Sequence, residues 1–309
     1  MNEEKENKIK ILENKYNGLK ELVYEIDDNN KNKYKNEINI IYKTPKEDQY
    51  DIFGEEFVEK NKNKIELNIN GNKSNLIKTY KLKEGDNNIK MIIKNKNINL
   101  RGMFYGCKTL KNIEQLKYLN TKYCNDFSNM FRSCSKLTNI KALEKWNVSN
   151  SNDFSDMFRD CSKLTNIKPL EKWNVSNCNN FEYMFSYCSE LSDLKALEKW
   201  NVSNGSKFTM FCYCLKLSDL KGLKKWNVSK GNDFSYMCFR CSQLSDLNGL
   251  KEWNVSNGIN FSNMFNYCLK LSDLKGLENW NVSNRIYFQN MFFNCQVLSE
   301  LTGLEKWRV

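Results

Sequence analysis

The sequence predicts an α/β solenoid, made from a unit of about 27 residues and preceded by a β-rich N-terminal cap. A column of methionines recurs with this period from Met103 to Met291. Successive tryptophans lie 27, 27, 26, 27, 27 and 27 residues apart, at Trp146, Trp173, Trp200, Trp226, Trp253, Trp280 and Trp307. A fixed period between 20 and 50 residues is typical of solenoids, because each unit buries its apolar side chains against its neighbours.

Residues 153–175, DFSDMFRDCSKLTNIKPLEKWNV, show the unit most clearly. The apolar residues from Phe154 to Leu164 fall at i, i+3, i+4, i+7 and i+10, which predicts a helix of about three turns. The next segment, TNIK, is predicted as the main parallel strand of each unit, with WNV as the weaker alternative. A turn at Pro169 then leads into a short helical segment, LEKW.

The recurring pattern F-x-x-M-F-x-x-C-x-x-L-x-x-[IL]-x-x-L-x-x-W-N-V-S-N resembles the BspA-type leucine-rich repeats, including the related repeats of mycoplasma lipoproteins. Eight copies occupy residues 100–309, and the first is degenerate, with Leu119 at the tryptophan position. The resemblance implies a right-handed α/β leucine-rich-repeat solenoid with a binding role. Proteins of that family are often cell-surface adhesins.

The N-terminal third has different periodicities. Residues 1–34 carry apolar side chains at spacings of three and four, which predicts a polar helical arm. Residues 35–99 alternate around Ile38, Ile65 and Ile89, which predicts strands, and Asn70-Gly71 is a hairpin signal. A short helical or bulged segment is expected near Phe57, and the region as a whole is predicted to cover the first unit.

The composition argues against an enzyme. The chain of 309 residues contains no histidine, which removes the usual general base and a common metal ligand. The repetition also denies the array a unique cluster of acid, base and nucleophile. We therefore expect no catalytic residues, no metal and no cofactor.

The cysteines and the N-terminus bear on the compartment. The first residues are charged and carry no apolar run of secretory length, so we expect a cytoplasmic protein with reduced thiols, and a cell-surface protein as the alternative. Eight of the twelve cysteines form one column, from Cys107 to Cys295. Cys212, Cys214, Cys238 and Cys241 permit a metal site, but an interior packing role is favoured. The recurring Asn-Val-Ser is formally a glycosylation sequon, and a turn-stabilising role is favoured for its asparagines.

The predicted binding residues lie beside the predicted strand. Net charge is +11, and most of the excess falls in residues 101–309. A lysine column and an acidic column flank the strand, at Lys141, Lys168, Lys195, Lys221 and Lys275, and at Asp193, Asp219, Asp246 and Asp273. The favoured function is a non-enzymatic scaffold that binds another protein through the concave face or the C-terminal end. The alternatives are a surface adhesin and an electrostatic binder of a polyanion, and an oligomer formed through the C-terminal end is a further possibility.

Overall fold

The computed structural model describes residues 36–95, 97–282, 287–305 and 307. The polar arm predicted over residues 1–34 lies outside these ranges. Within them, a small β-region leads into stacked units, which we number by their first residues. Units 1 to 8 begin at Leu100, Asp126, Asp153, Asn180, Lys207, Asp233, Asn260 and Tyr287.

The N-terminal region contains an antiparallel sheet with the strand order β4-β3-β6-β1-β7 and a two-stranded sheet formed by β2 and β5. Its elements are β1 (Glu37–Thr44), β2 (Asp48–Asp51), α1 (Glu55–Asn61), β3 (Ile65–Ile69), β4 (Asn72–Asn75), β5 (Thr79–Leu82), β6 (Gly85–Ile93) and β7 (Leu110–Asn112). The strands predicted around Ile38, Ile65 and Ile89 are confirmed as β1, β3 and β6. Of the two alternatives expected near Phe57, a short helix or a bulged segment, the structure has the helix, α1.

The hairpin predicted at Asn70-Gly71 connects β3 to β4. Both residues have positive φ, 50° at Asn70 and 96° at Gly71, as a two-residue type I′ turn requires. The Asn68 side-chain oxygen accepts a hydrogen bond from the Gly71 N–H at 2.9 Å. The hairpin prediction is confirmed, because Asn70 and Gly71 both tolerate left-handed backbone and occupy the two positions of the turn.

Strand β7 joins the sheet to the repeated units. It lies in unit 1 and pairs antiparallel with β1, whose other edge pairs with β6. The ring of Phe104 stacks on Phe53 at 5.8 Å between centroids and on Phe131 of unit 2 at 5.5 Å. The hydrophobic core is therefore continuous from the sheet into the units.

The three-turn helix predicted in each unit is wrong. Residues 154–164 form consecutive turns, and Asp156 and Asp160 have left-handed backbone, with φ of 56° and 60°. An α-helix keeps its N–H groups for carbonyls four residues earlier in the same segment. Here the N–H groups of Phe154 and Phe158 instead donate to Asn180 and Met184 in the next unit, at 3.0 and 2.9 Å. The apolar spacing does mark one buried face, as predicted, but the backbone of this segment is a series of turns and not a helix.

These hydrogen bonds form a ladder at every second residue. In unit 3, the N–H groups of Phe154, Asp156, Phe158 and Asp160 all donate to carbonyls of unit 4, over 2.8–3.0 Å. Parallel bridges at the start of the same segment link Asp126 to Asp153 and continue unit by unit to Tyr287. In the segment predicted as the main strand, the parallel bridge described is between Asp219 and Asp246. The strand prediction at TNIK was therefore misplaced, because the pairing backbone lies where a helix was expected.

A short 3₁₀ helix follows TNIK or its equivalent in six of the units. These helices span Glu114–Tyr118, Lys141–Lys145, Lys168–Leu170, Lys195–Leu197, Lys221–Leu223 and Asn248–Leu250. The short helical segment predicted over LEKW lies two residues earlier in unit 3, where it begins at Lys168 and includes Pro169 in its first turn.

Equivalent aromatic residues of successive units stack on one another. The indoles of Trp173 and Trp200 are 6.4 Å apart and within 3° of parallel. Phenylalanines stack in the same way, as Phe131 does on Phe158 at 5.6 Å and 2°. Because no unit contains both partners of such a stack, each unit depends on its neighbours for burial.

Candidate interaction surfaces

The units present two outward surfaces. The turn face consists of the outward side chains around the 3₁₀ helices, at the positions of Asn166, Lys168, Glu171 and Lys172. The ladder face consists of the outward side chains of the hydrogen-bonded segment, at the positions of Ser155, Asp156, Arg159 and Asp160. The residues predicted as binding residues all belong to the turn face.

The predicted acidic column has a local structural role. The side-chain oxygens of Asp193, Asp219 and Asp273 accept hydrogen bonds from the N–H groups two residues later, at 2.7–3.0 Å. Asp246 does the same for Asn248 at 2.8 Å. Asn139 and Asn166 are equivalent in earlier units. These side chains stabilise the turn that leads into the 3₁₀ helix or, after Asp273, into further turns, since Asx side chains favour such turns.

The predicted lysine column is exposed along the turn face, at Lys141, Lys168, Lys195, Lys221 and Lys275. The Lys221 ammonium lies 3.4 Å from Asp246 and 4.0 Å from Asp219. A groove with a volume of about 500 Å³ runs between units 2 and 3, with Lys141, Lys168 and Lys172 on its walls. Glu144 and Glu171 line the same groove, so its charge is mixed.

Neighbouring units also pair lysine with glutamate elsewhere on the turn face. Lys199 lies 3.1 Å from Glu171, and Lys225 lies 2.9 Å from Glu198. Because opposite charges face each other between these units, the contacts reduce repulsion between like charges along the turn face.

The ladder face of units 2 and 3 is polar and ion-paired. Asp156 lies 3.0 Å from the Arg159 guanidinium and 3.5 Å from that of Arg132. The Arg132 guanidinium also lies over the Tyr105 ring, 5.5 Å from its centroid. The cations of this half of the face therefore have a carboxylate within the same surface.

From unit 4 onward the ladder face is aromatic. We define the aromatic cluster as Tyr183, Tyr187, Tyr213, Tyr236, Phe239, Tyr267 and the two arginines that contact their rings, Arg159 and Arg240. Tyr187 stacks on Tyr213 with 4.3 Å between centroids and 12° between planes. The Arg240 guanidinium lies 4.4 Å from the Tyr267 centroid and 5.4 Å from that of Tyr213.

The tyrosines of this cluster occupy left-handed backbone. Their φ values lie between 54° and 61°, at Tyr183, Tyr187, Tyr213, Tyr236 and Tyr267. Bulky residues rarely adopt this conformation. With the exception of Arg240, the left-handed residues at equivalent positions in other units are asparagine, aspartate, serine or glycine. A tyrosine at one of these positions therefore costs conformational free energy that a glycine or an asparagine would avoid.

The sequence alone does not identify this cluster, because tyrosine has an apolar ring that suits the core and a hydroxyl that suits the surface. The tyrosines are half-buried or exposed, and Tyr236 is 39 % exposed. The signal was present in the internal alignment, where tyrosine replaces small polar residues at outward positions. Burial raises the pKa of the Tyr183 and Tyr187 phenols, so both hydroxyls remain protonated donors at neutral pH.

Comparison with known proteins locates the units in one family. A family described as "Mycoplasma protein of unknown function, DUF285" matches residues 98–219 and 208–309, which together cover more than half of the chain. The chain belongs to the DUF285 family. No curated protein and no solved structure matches it. The two DUF285 matches meet in unit 5, where Phe208-Thr209-Met210 is one residue shorter than the corresponding segment of the other units.

The cysteines of the DUF285 region are buried free thiols. From Cys134 to Cys295 the column thiols donate to a backbone carbonyl of the preceding unit. That carbonyl belongs to phenylalanine in most units, as when Cys161 donates to Phe131 with Sγ and oxygen 3.1 Å apart, and to Cys238 in the case of Cys268. No group of three or more metal-ligating side chains occurs among the described residues. Cys212, Cys214, Cys238 and Cys241, which permitted a metal site, are all buried.

The Asn-Val-Ser asparagines stabilise turns, as the favoured interpretation expected. Asn174 accepts a hydrogen bond from the Ser176 N–H at 3.1 Å, and its equivalents in other DUF285 units do the same. The link between units comes from the asparagine three residues later, since Asn177 donates to the Ser149 carbonyl at 2.7 Å. Across the part of the chain that is described, no helix is long and apolar enough to span a membrane.

Proposed function

We propose that this DUF285 protein is a non-enzymatic scaffold, built as a leucine-rich-repeat solenoid, that binds another protein through its ladder face. The proposal moves the binding surface from the lysine and aspartate columns to the aromatic cluster. Its main support is the internal comparison of the units, which separates residues that maintain the stack from residues that do not.

The buried columns change little from unit to unit, as their structural roles require. Phenylalanine, methionine, cysteine, leucine and tryptophan recur at the positions of Phe154, Met157, Cys161, Leu164 and Trp173. The ladder-face positions diverge. At the position of Asp160 the other units carry Gly106, Ser133, Tyr187, Tyr213, Arg240, Tyr267 and Asn294. Divergence on one exposed face gives a repetitive molecule a single distinctive surface, which is what recognition of one partner needs.

The residue types of that surface favour a protein partner. Tyrosine and arginine are enriched among the residues that contribute most to protein–protein binding, because both combine a large contact area with hydrogen-bonding groups. The side chains of the aromatic cluster are also held in place before binding, because its rings and guanidiniums pack against one another. A partner would therefore meet a surface that is largely ordered before binding.

The test is affinity capture of the intact protein from its own cells with matched variants. Tyr213→Ala/Tyr267→Ala is expected to lose the captured protein, whereas Lys168→Gln/Lys195→Gln on the turn face retains it in high salt. Loss of capture with the lysine variant alone would move the binding surface back to the turn face. Capture of nucleic acid that is lost in high salt would favour the polyanion alternative instead.

A further inference from the structure

The two arginines of the aromatic cluster differ in whether a carboxylate lies beside the guanidinium. Arg159 donates to Asp156 at 3.0 Å within the ladder face. Arg240 has no ion pair among the described residues, and its buried Nε–H lacks an acceptor there. At the ladder-face positions of units 5 to 8 the sequence has no aspartate or glutamate. Arg240 is therefore a cation without a counter-ion on this part of the surface.

Aromatic rings hold the Arg240 guanidinium in place. The rings of Tyr213, Phe239 and Tyr267 lie within 4.4–5.8 Å of it, and Tyr236 packs edge-on against Phe239 at 5.5 Å. Arginine stacks readily on aromatic faces while its N–H edge remains able to bind a planar anion. Rings on several sides also reduce hydration, which strengthens a hydrogen bond to a carboxylate.

We propose that the aromatic cluster binds an acidic protein segment, one carboxylate of which is hydrogen-bonded to the guanidinium of Arg240. This inference rests on the proposed function and names the chemistry of the partner. The carboxylate supplies the charge that the surface lacks and offsets the cost of leaving a half-buried guanidinium without an anionic partner. The neighbouring tyrosines contact the apolar parts of the same segment and donate hydrogen bonds from their hydroxyls.

The geometry disfavours a nucleic acid on this surface. Binding of single strands uses free aromatic faces for the bases and a row of cations for the phosphates. The faces of Tyr187 and Tyr213 are turned to each other, and Arg240 occupies the space between Tyr213 and Tyr267. One unpaired guanidinium suits one carboxylate better than a chain of phosphates.

The experiment uses short random peptides displayed on phage and selected on the full-length protein. Enriched peptides are synthesised with a fluorescent label, and their affinities are measured for the wild type, Arg240→Gln, Arg240→Lys and the turn-face control Lys168→Gln. We expect enrichment of aspartate or glutamate and a loss of about tenfold to a hundredfold with Arg240→Gln. Arg240→Lys keeps the charge but loses the planar fork, so it recovers only part of the affinity. Lys168→Gln is expected to bind as the wild type does.

A double-mutant cycle distinguishes a direct pair from a structural effect of Arg240. When the acidic residue of the peptide is changed to its amide, Arg240→Gln should cause little further loss. Additive losses would overturn the inference. Peptides that lack acids and need Tyr213 and Tyr267 but not Arg240 would overturn it while leaving the proposed function in place.

Two further outcomes would also count against it. Failure to enrich any peptide, together with no change in capture by the tyrosine variant, would overturn both proposals. Tight binding of single-stranded oligothymidine with steep salt dependence would replace the acidic segment with a polyanion.

Discussion

The indole Nε1 of Trp200 donates a hydrogen bond to the carbonyl oxygen of Leu170, 2.9 Å away in the preceding unit. The same contact recurs from Trp146 to Trp307, always to the equivalent leucine. Each tryptophan therefore fills the core of its own unit and satisfies a buried carbonyl of its neighbour. The indole links units by packing and by hydrogen bonding at once, which explains why the column so seldom varies.

Trp200→Phe tests this role of the indole. Phenylalanine keeps an aromatic ring but leaves the Leu170 carbonyl without its donor, so we expect the free energy of unfolding to fall by about 1–3 kcal/mol, measured in urea. Trp307→Phe is the matched control, because that residue is only partly buried and water can reach the Leu277 carbonyl. Equal losses at the two positions would mean that ring volume, not the hydrogen bond, sets the cost.

The buried thiols predict a dependence of stability on pH. Burial raises the pKa of Cys124 and Cys212 to about 12 and that of Cys295 to about 11, from about 9. A thiol that ionises only in the unfolded chain contributes full stability below pH 9 and loses it as pH rises toward the folded pKa. We expect the free energy of unfolding to fall above pH 9, by up to about 1.4 kcal/mol per pH unit for each such thiol.

Thiol reactivity provides the control for that experiment. The folded protein should react slowly with a thiol reagent at pH 8, whereas all twelve cysteines react once denaturant is added. Rapid reaction of several thiols in the folded protein would contradict both the burial and the expected pH dependence.

The left-handed tyrosines predict a conflict between stability and binding. Tyr236→Asn places a residue that tolerates positive φ at a backbone angle of 54°. We expect the free energy of unfolding to rise by about 0.5–1 kcal/mol, since the relieved backbone cost exceeds the lost edge contact with Phe239. The same change is expected to weaken binding of the captured partner. A less stable protein would show that the tyrosine is retained for packing.

The column of small residues within the 3₁₀ helices predicts a steric limit. A Cβ at Gly249 would overlap the Leu220 carbonyl of the preceding unit, so Gly249→Ala requires the backbone to move. We expect a loss of about 1–3 kcal/mol in the free energy of unfolding, measured by thermal and urea denaturation. Ala196 occupies the same column in unit 4, where the methyl group fits, so Ala196→Gly is the control and should cost about 1 kcal/mol.

The period and the identity of the buried columns could be predicted from the sequence, because burial leaves a strict apolar pattern such as Phe154, Met157 and Phe158. The path of the backbone between these residues could not. Spacings of three and four fit a helix and equally fit turns interrupted by left-handed residues, and the pairing of Phe154 with Asn180 depends on a neighbour 26 residues away. The strands around Ile38 and Ile89 were predictable, since alternation has one simple structural solution.

The candidate site was harder to predict for a related reason. Lysine and aspartate columns are conspicuous when the units are aligned with one another. The side chains of Asp193 and its equivalents, however, accept hydrogen bonds within local turns. Tyrosines read as core residues until the backbone shows that Tyr187 and Tyr213 point outward from left-handed positions. Whether a side chain points toward the core or away from it depends on the conformation of the turns. The apolar spacing does not determine that conformation.

Removal of one whole unit tests whether stability depends on nearest neighbours alone. Deletion of residues 181–207 joins Asn180 to Phe208, so the residue that follows is again the phenylalanine of the ladder segment. The Phe154 N–H keeps its acceptor at Asn180, and Phe154 can stack on Phe208 as it does on Phe181. We expect a folded protein with native-like near-ultraviolet circular dichroism and cooperative unfolding, because interfaces between units are equivalent. Deletion of residues 181–193 alone shifts the register by about half a unit and should prevent folding of the following units. An unfolded product from the full-unit deletion would mean that the units are not interchangeable, and that the divergent ladder face contributes to the stack itself.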